Sequence, residues 1–214
     1  VRPFFEMPDW ELLIPGTELR RDVYDLALPD SGNWWICGPF GNSEGQAMET
    51  TLGAEIRLDT GETFEGMHET GSPWLSEGSR CLDRDVAHWV RRQAMHGFVD
   101  FNHVFRPHAR GASKTHDGAG VARCELNAPN ALEATLRLSW DDRMIMSMNG
   151  DDPIDLGFHS SFREKAIPVS LKAGRNTVVL KLSNTLGSNH GGWTFAFHAT
   201  TADGMVLLPK ADST

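Results

Sequence analysis

Cysteine is scarce in this chain of 214 residues: three, at Cys37, Cys81 and Cys124, an odd and widely spaced set. That is no disulfide framework, and the spacings fit no zinc motif. Cys37 and Cys124 stand in apolar runs, where a thiol reads as a small core residue; a single disulfide stays open. Positive charge is also in the minority, with 20 Lys and Arg against 29 Asp and Glu and a net charge of -9. This argues against nucleic acid and anionic membrane as partners, because phosphate surfaces are held by a cationic field. No apolar run approaches the roughly 20 residues of a membrane-spanning helix. There is no Gly-x-Ser-x-Gly elbow, no phosphate-cradling glycine loop, no dinucleotide fingerprint and no His-Glu-x-x-His. The chain starts at Val1 with no signal-peptide pattern, as expected of a trimmed mature chain or a piece of something longer.

What is present is alternation. Leu132, Ala134, Leu136, Leu138 and Trp140 fall on one face, with Glu133, Thr135, Arg137 and Ser139 on the other. After Asp141-Asp142 the pattern resumes at Met144, Met146 and Met148 and stops at Asn149-Gly150. It returns at Val178, Leu180 and Leu182, then at Trp193, Phe195 and Phe197. Period two describes strands with one buried and one wet face. Many short strands with turn signals predict an all-β fold, a β-sandwich with jelly-roll topology. Function is then sought on the loops and rims.

The division is an arm, residues 1–32, and a β-sandwich module, residues 33–214. Pro3, Pro8, Pro15 and Pro29 make the arm irregular, and Phe4, Phe5, Trp10 and Leu12 to Ile14 are apolar enough to pack it on the body, or on a missing upstream domain. The body opens with a buried strand at Trp34–Phe40, stopped by Gly38-Pro39. A strand is expected at Ala54–Leu58, a surface loop at 59–84, and a strand at Gly97–Phe105. Residues 83–95 fit either a helix capped by Asp83 or a strand centred on Trp89, with propensity on the side of the helix.

The order of several short motifs resembles jelly-roll modules found beside catalytic domains in bacterial glycan-degrading proteins. Trp35-Ile36-Cys37-Gly38-Pro39-Phe40 is similar to their Trp-x-x-x-Gly-Pro-Phe opening, and Leu52-Gly53-Ala54-Glu55-Ile56 to the segment that follows. Trp89 with Gly97-Phe98-Val99-Asp100-Phe101 resembles their Trp…Gly-x-Val-Asp-Leu stretch, which would put Trp89 on a strand. Leu136–Gly150 looks like their “strand, Asp-Asp, strand, Asn-Gly” hairpin. It is also similar to galactose-binding-like and PA14-type sugar-binding domains, in which an Asp-Asp pair holds calcium. Val169–Asn176, Leu180–Asn184 and Gly191-Gly192-Trp193-Thr194-Phe195 resemble the closing strands. The likeness covers residues 34–208 with an insertion near 59–88. It implies a non-catalytic carbohydrate-binding or accessory module, a glycan or oligosaccharide as ligand, an attached catalytic domain as partner, and a secreted or periplasmic location.

Candidate residues follow from chemistry. Asp141 and Asp142 can turn two carboxylates towards a loop-borne calcium, which takes 6–8 oxygens; the bland reading is a solvated turn with Arg143 pairing one of them. Asn149, Asp151 and Asp152 lie about 20 Å along the next strand, on a different rim. Sugar rings stack on exposed aromatic faces. Trp140, beside the doublet, and Trp74, in Gly71-Ser72-Pro73-Trp74, are the candidates, whereas Trp35, Trp89 and Trp193 alternate with apolar neighbours and read as core. Asn189 and His190 would add hydrogen bonds at the doublet's end, and Arg143 completes the ligand-binding set. Two other classes stay open: a purely structural sandwich docking a catalytic partner, and a small lyase or hydrolase using His96–His116 with Asp100.

Overall fold

The computed structural model describes residues 32–42, 45–66, 86–95, 97–105, 118–184 and 192–211. Residues 1–31 of the expected arm lie outside them. Ten antiparallel strands follow one another: β1 (Asn33–Gly41), β2 (Thr63–Glu65), β3 (Val86–Gln93), β4 (Phe98–Asp100), β5 (Gly118–Ala128), β6 (Leu132–Met148), β7 (Ile154–Leu171), β8 (Gly174–Asn184), β9 (Thr194–Thr201) and β10 (Val206–Leu207). Three short helices interrupt them: α1 (Gln46–Glu49), α2 (Gly53–Ile56) and α3 (Phe101–Phe105). The strand order is β10-β9-β6-β8-β5-β1-β3-β2, with β4 on β9 and β7 on β6.

This is the all-β sandwich that the alternation predicts, a curled antiparallel sheet. Its curl is made by β6. The first half, Ala134–Trp140, pairs with β9; the second, Met144–Met148, pairs with β8; β7 follows the other edge along most of its length. A strand that changes neighbours at a bulge turns the corner between two layers. Here the corner is Asp142, at a left-handed φ of 75°, where the register against β7 also shifts. The doublet is therefore a bend within one 17-residue strand, not a turn between two strands. The hairpin turn comes later, at Asn149-Gly150, and leads into β7.

The inner faces of both layers share one core, with Trp34, Leu136, Leu138, Trp140, Met144, Trp193, Phe195 and Phe197 at 0–1% exposure. Trp34 meets the edges of Phe195 and Phe197, each at 5.1 Å between ring centres. Phe101 lies 5.4 Å from Trp193 and passes over Gly120, where a Cβ would meet the ring at 2.6 Å. A second cluster lies on the outer face of β3, β1, β5, β8 and β6, where Cys37, Val121, Ile145 and Val179 meet Ala47 and Met48 of α1 and Ala54 of α2. These two helices form a partial third layer.

Four local expectations change. Residues 86–93 are strand, because Ala87 and Trp89 alternate into the second cluster and six residues pair with β1; tertiary pairing outweighs propensity here. At 53–56 a helical turn replaces the expected strand, closed by Leu52 N–H donating to Glu55 Oε1 at 2.7 Å. Strand β1 continues through Gly38-Pro39, with a bulge between Cys37 and Phe40. The run 97–105 is a three-residue strand followed by α3, whose start is set by Asn102 N–H donating to Asp100 Oδ1 at 2.8 Å.

Candidate functional site

Several chain ends converge where β6 bends. The β6–β8 ladder runs up to Met144 and Leu182; two residues further on each strand stand Asp142 and Asn184, both fully buried. Asn184 also closes the β5–β8 ladder opposite Gly118. Asp141 Oδ1 accepts from Asp142 N–H at 3.0 Å, which fixes the first carboxylate against the left-handed corner. Its other oxygen lies against Gly192, where an added Cβ would come within 1.9 Å of Oδ2. A side chain at this position would have to displace the Asp141 carboxylate.

The neighbouring backbone is pinned equally well. Trp193 Nε1 donates to Leu182 O at 3.0 Å, holding the start of β9 to the end of β8, and Phe101 N–H donates to Trp193 O at 2.8 Å. Asp100 pairs with Thr194, so the β4–α3 junction, with Asp100 and Asn102, joins the same rim. Two sequence stretches leave and re-enter here: 106–117 between Phe105 and Gly118, and 185–191 between Asn184 and Gly192. The rim thus gathers Asp100, Asn102, Asp141, Asp142 and Asn184.

Trp140 is not where its sequence reading put it. It is fully buried, its Nε1 donates to Gly157 O at 3.1 Å, and its ring stacks on His159 at 4.2 Å with 11° between planes. Its apolar surface belongs to the core and its one polar atom is satisfied, so no face is left for a sugar. Arg143 points away from the doublet to the outer face. There Nε and Nη2 donate to Asp155 Oδ2 at 3.1 and 2.7 Å, and Nη1 donates to Glu49 Oε1 at 2.5 Å. Its guanidinium holds the Asp155 carboxyl below the ordinary range. Arg143 therefore does not pair with Asp141 or Asp142, as the sequence reading had allowed. Trp74, Asn189 and His190 lie outside the described residues, as do His96, His108 and His116. His103 is exposed on α3, while Asp100 serves as the acceptor that starts that helix. Asn149 bonds Asn176 and Thr177 at the opposite end of β8, on a separate rim as expected.

Among the described residues no three His, Cys, Asp or Glu side chains gather closely enough to hold a metal ion. Asp141 and Asp142 alone fall well short of the oxygen count calcium needs. The sequence reading put the loop Asn184–Gly192 at the doublet's end without singling out Asn184 as a candidate, and it missed His159. The signal for Asn184 was present: it continues the Val178-Leu180-Leu182 phase onto the buried face. His159 carried none, since Gly157–Phe162 shows no alternation.

The chain matches no known family model and no curated protein. Solved structures resemble it over part of its length, the following three among them. An anti-sigma factor domain-containing protein from Clostridium clariflavum is 16% identical, with a TM-score of 0.40, over 58% of this chain and 42% of that one. A PA14 sugar-binding domain from an RTX adhesin is 13% identical, with a TM-score of 0.33, over 49% and 61%. A family 35 carbohydrate binding module from Clostridium thermocellum is 19% identical, with a TM-score of 0.27, over 38% and 70%.

Proposed function

We propose that the chain is a non-catalytic carbohydrate-binding module, accessory to a glycan-active catalytic domain, and that it binds sugar at the rim where β6 bends. The observation that carries this reading is the convergence of Asp141, Asp142, Asn184, Asp100 and Asn102 with the ends of two connecting stretches on the edge of a rigid sandwich. Carboxylates accept and amides both donate and accept, which suits the hydroxyls of a sugar. Strands hold such groups more firmly than a free loop does. The motif order shared with modules of glycan-degrading proteins points the same way.

Calcium is the extended form of the proposal. Asp141 and Asp142 would contribute carboxylate oxygens, and main-chain, amide or sugar oxygens the remainder. Thermal melting with calcium, with a chelator and with a panel of neutral oligosaccharides tests both parts. A ligand of the folded state alone stabilises by about 2.7 kcal/mol at a hundred times its Kd. A saccharide that raises Tm, and fails to do so for Asp142→Asn, supports the site. If no saccharide moves Tm, the structural-module reading replaces this one.

A further inference from the structure

His159 of β7 stands opposite Asp142 across the β6–β7 ladder, in the same register that pairs Arg143 with Phe158. Opposite residues share a face of the sheet, with Cβ atoms about 5 Å apart. Here that is the inner face, since the imidazole lies flat on the Trp140 ring, at 4.2 Å and 11° between planes, and Trp140 belongs to the core. Trp140 is itself held: it is fully buried, and its Nε1 donates to Gly157 O at 3.1 Å, two residues before His159. Packing thus sets the plane and position of the imidazole without any hydrogen bond made by the imidazole itself.

Its two nitrogens differ. Nδ1 is buried and has no hydrogen-bond partner. Nε2 has no partner among the described residues either, but it is not buried, and His159 as a whole is half-buried. Nε2 is therefore the polar atom that reaches solvent. An uncharged imidazole carries its proton on one nitrogen only. On Nδ1 that proton would make an orphaned buried donor, the rarer case in folded proteins. On Nε2 it leaves a buried acceptor behind and directs an N–H outwards. The second arrangement is favoured, and it places a donor at the edge where Asp100, Asp141 and Asp142 supply acceptors.

We propose that His159 is a ligand-contact residue of the rim site: its Nε2–H bonds an oxygen of the bound sugar while Trp140 holds the ring in place from behind. The proposal rests on the carbohydrate-binding reading of the rim and adds a donor to it. Carboxylates only accept, so they take the protons of sugar hydroxyls. The ring and glycosidic oxygens of a sugar also only accept, and they need a donor such as this N–H. Trp140 is then a positioning residue, one layer beneath the ligand.

The test is calorimetric titration of the whole chain with neutral tetrasaccharides of glucose, of mannose and of galactose. His159→Phe, His159→Gln and Asp142→Asn are compared with the parent, each first shown to melt as the parent does. His159→Phe keeps a flat ring on Trp140 and loses the N–H; His159→Gln keeps an N–H donor at about the reach of Nε2 and loses the ring. A hydrogen bond to the sugar predicts that His159→Phe weakens binding about tenfold and that His159→Gln weakens it less. A packing role alone predicts the reverse order. The parent gives a second reading that needs no variant: nitrogen resonances of the His159 imidazole should show the proton on Nε2, and that nitrogen should shift as the tetrasaccharide saturates. The inference is overturned if His159→Phe binds as the parent does, if His159→Gln loses more than His159→Phe, or if the proton sits on Nδ1. Loss of binding in Asp142→Asn with His159→Phe unaffected would remove His159 and leave the rim standing. Loss in His159→Phe with Asp142→Asn unaffected would strike the doublet and keep the imidazole contact. A parent that binds none of the three tetrasaccharides would remove both.

Discussion

Asp142 shows how one residue can be both a fold element and a candidate ligand group. It occupies an even position in the series Leu136, Leu138, Trp140, Met144, Met146, so its side chain points into the core face just where the strand bends. The phase through the doublet was legible in the sequence; that the strand changes partners there was not, because alternation survives a bend. The same phase, carried from Leu132, already put Trp140 among core residues, and its nearness to two acids outweighed that signal wrongly. Two predictions belong at this scale. Burial, the largest influence on the Cys37 thiol, pushes its pKa up to about 12. The folded chain should therefore keep that proton while an unfolded thiol loses it near 9, so stability contributed below 9 falls away as pH rises towards 12. Alkylation at pH 8 should mark Cys37 only after denaturant is added; labelling of the native chain at the rate of a free thiol would show the burial to be wrong. Asp155 runs the other way. Its carboxyl is lowered chiefly by the Arg143 hydrogen bonds, so its contribution is present above the ordinary value of 3.8 and is lost as pH falls through the lower, folded one. The side chain is 47% exposed, so solvent screens the pair. Asp155→Asn should cost under about 1 kcal/mol at pH 7 and flatten this part of the acid limb of a denaturant series.

At the level of elements, the long strands were legible and the short helices were not. Period-two runs located β6, β8 and β9, since each has one face in the core and one outside it. β7 carries Gly157, Pro168 and a run of exposed charged residues, 163–165, with little alternation to read. α2 was misjudged because its stability comes from contacts distant in sequence. Lys181, on β8, donates to Thr50 O at 2.7 Å and pairs with Glu55 at 2.9 Å, with side-chain exposures of only 4% and 12%. That ties residues 50–55 to the outer face from 126 residues away in sequence. Removing one partner of a buried pair leaves an uncompensated charge and costs about 3–5 kcal/mol. Lys181→Ala should therefore lower stability by that order in urea denaturation. The double change Lys181→Met with Glu55→Gln, which keeps an acceptor for Leu52 N–H, should restore most of it. If the single change is silent, the ion pair is not what holds the helical layer.

For the whole molecule, the sandwich followed from the number and spacing of strands, whereas pairing order could not be read from one chain. No local pattern says that β8 lies between β5 and the second half of β6, because that choice is made by the shared core. The arrangement has a functional consequence. Wrapping the two layers around one bent strand brings Asp141, Asp142, Asn184 and the Asp100–Asn102 junction to a single edge, although they span more than 80 residues of sequence. The doublet was legible as a candidate and the phase of β8 reaches Asn184; that the Asp100–Asn102 junction joins them was not legible, since only the fold assembles them. The most direct measurement is an amide chemical-shift titration of the isotopically labelled chain with a neutral oligosaccharide that shifts its melting temperature. The account predicts that perturbed amides cluster at Asp100–Asn102, Asp141–Asp142, Asn184 and Gly192–Thr194, with the turn at Asn149-Gly150 unmoved. Shifts concentrated at that opposite turn, with the bend of β6 silent, would contradict it.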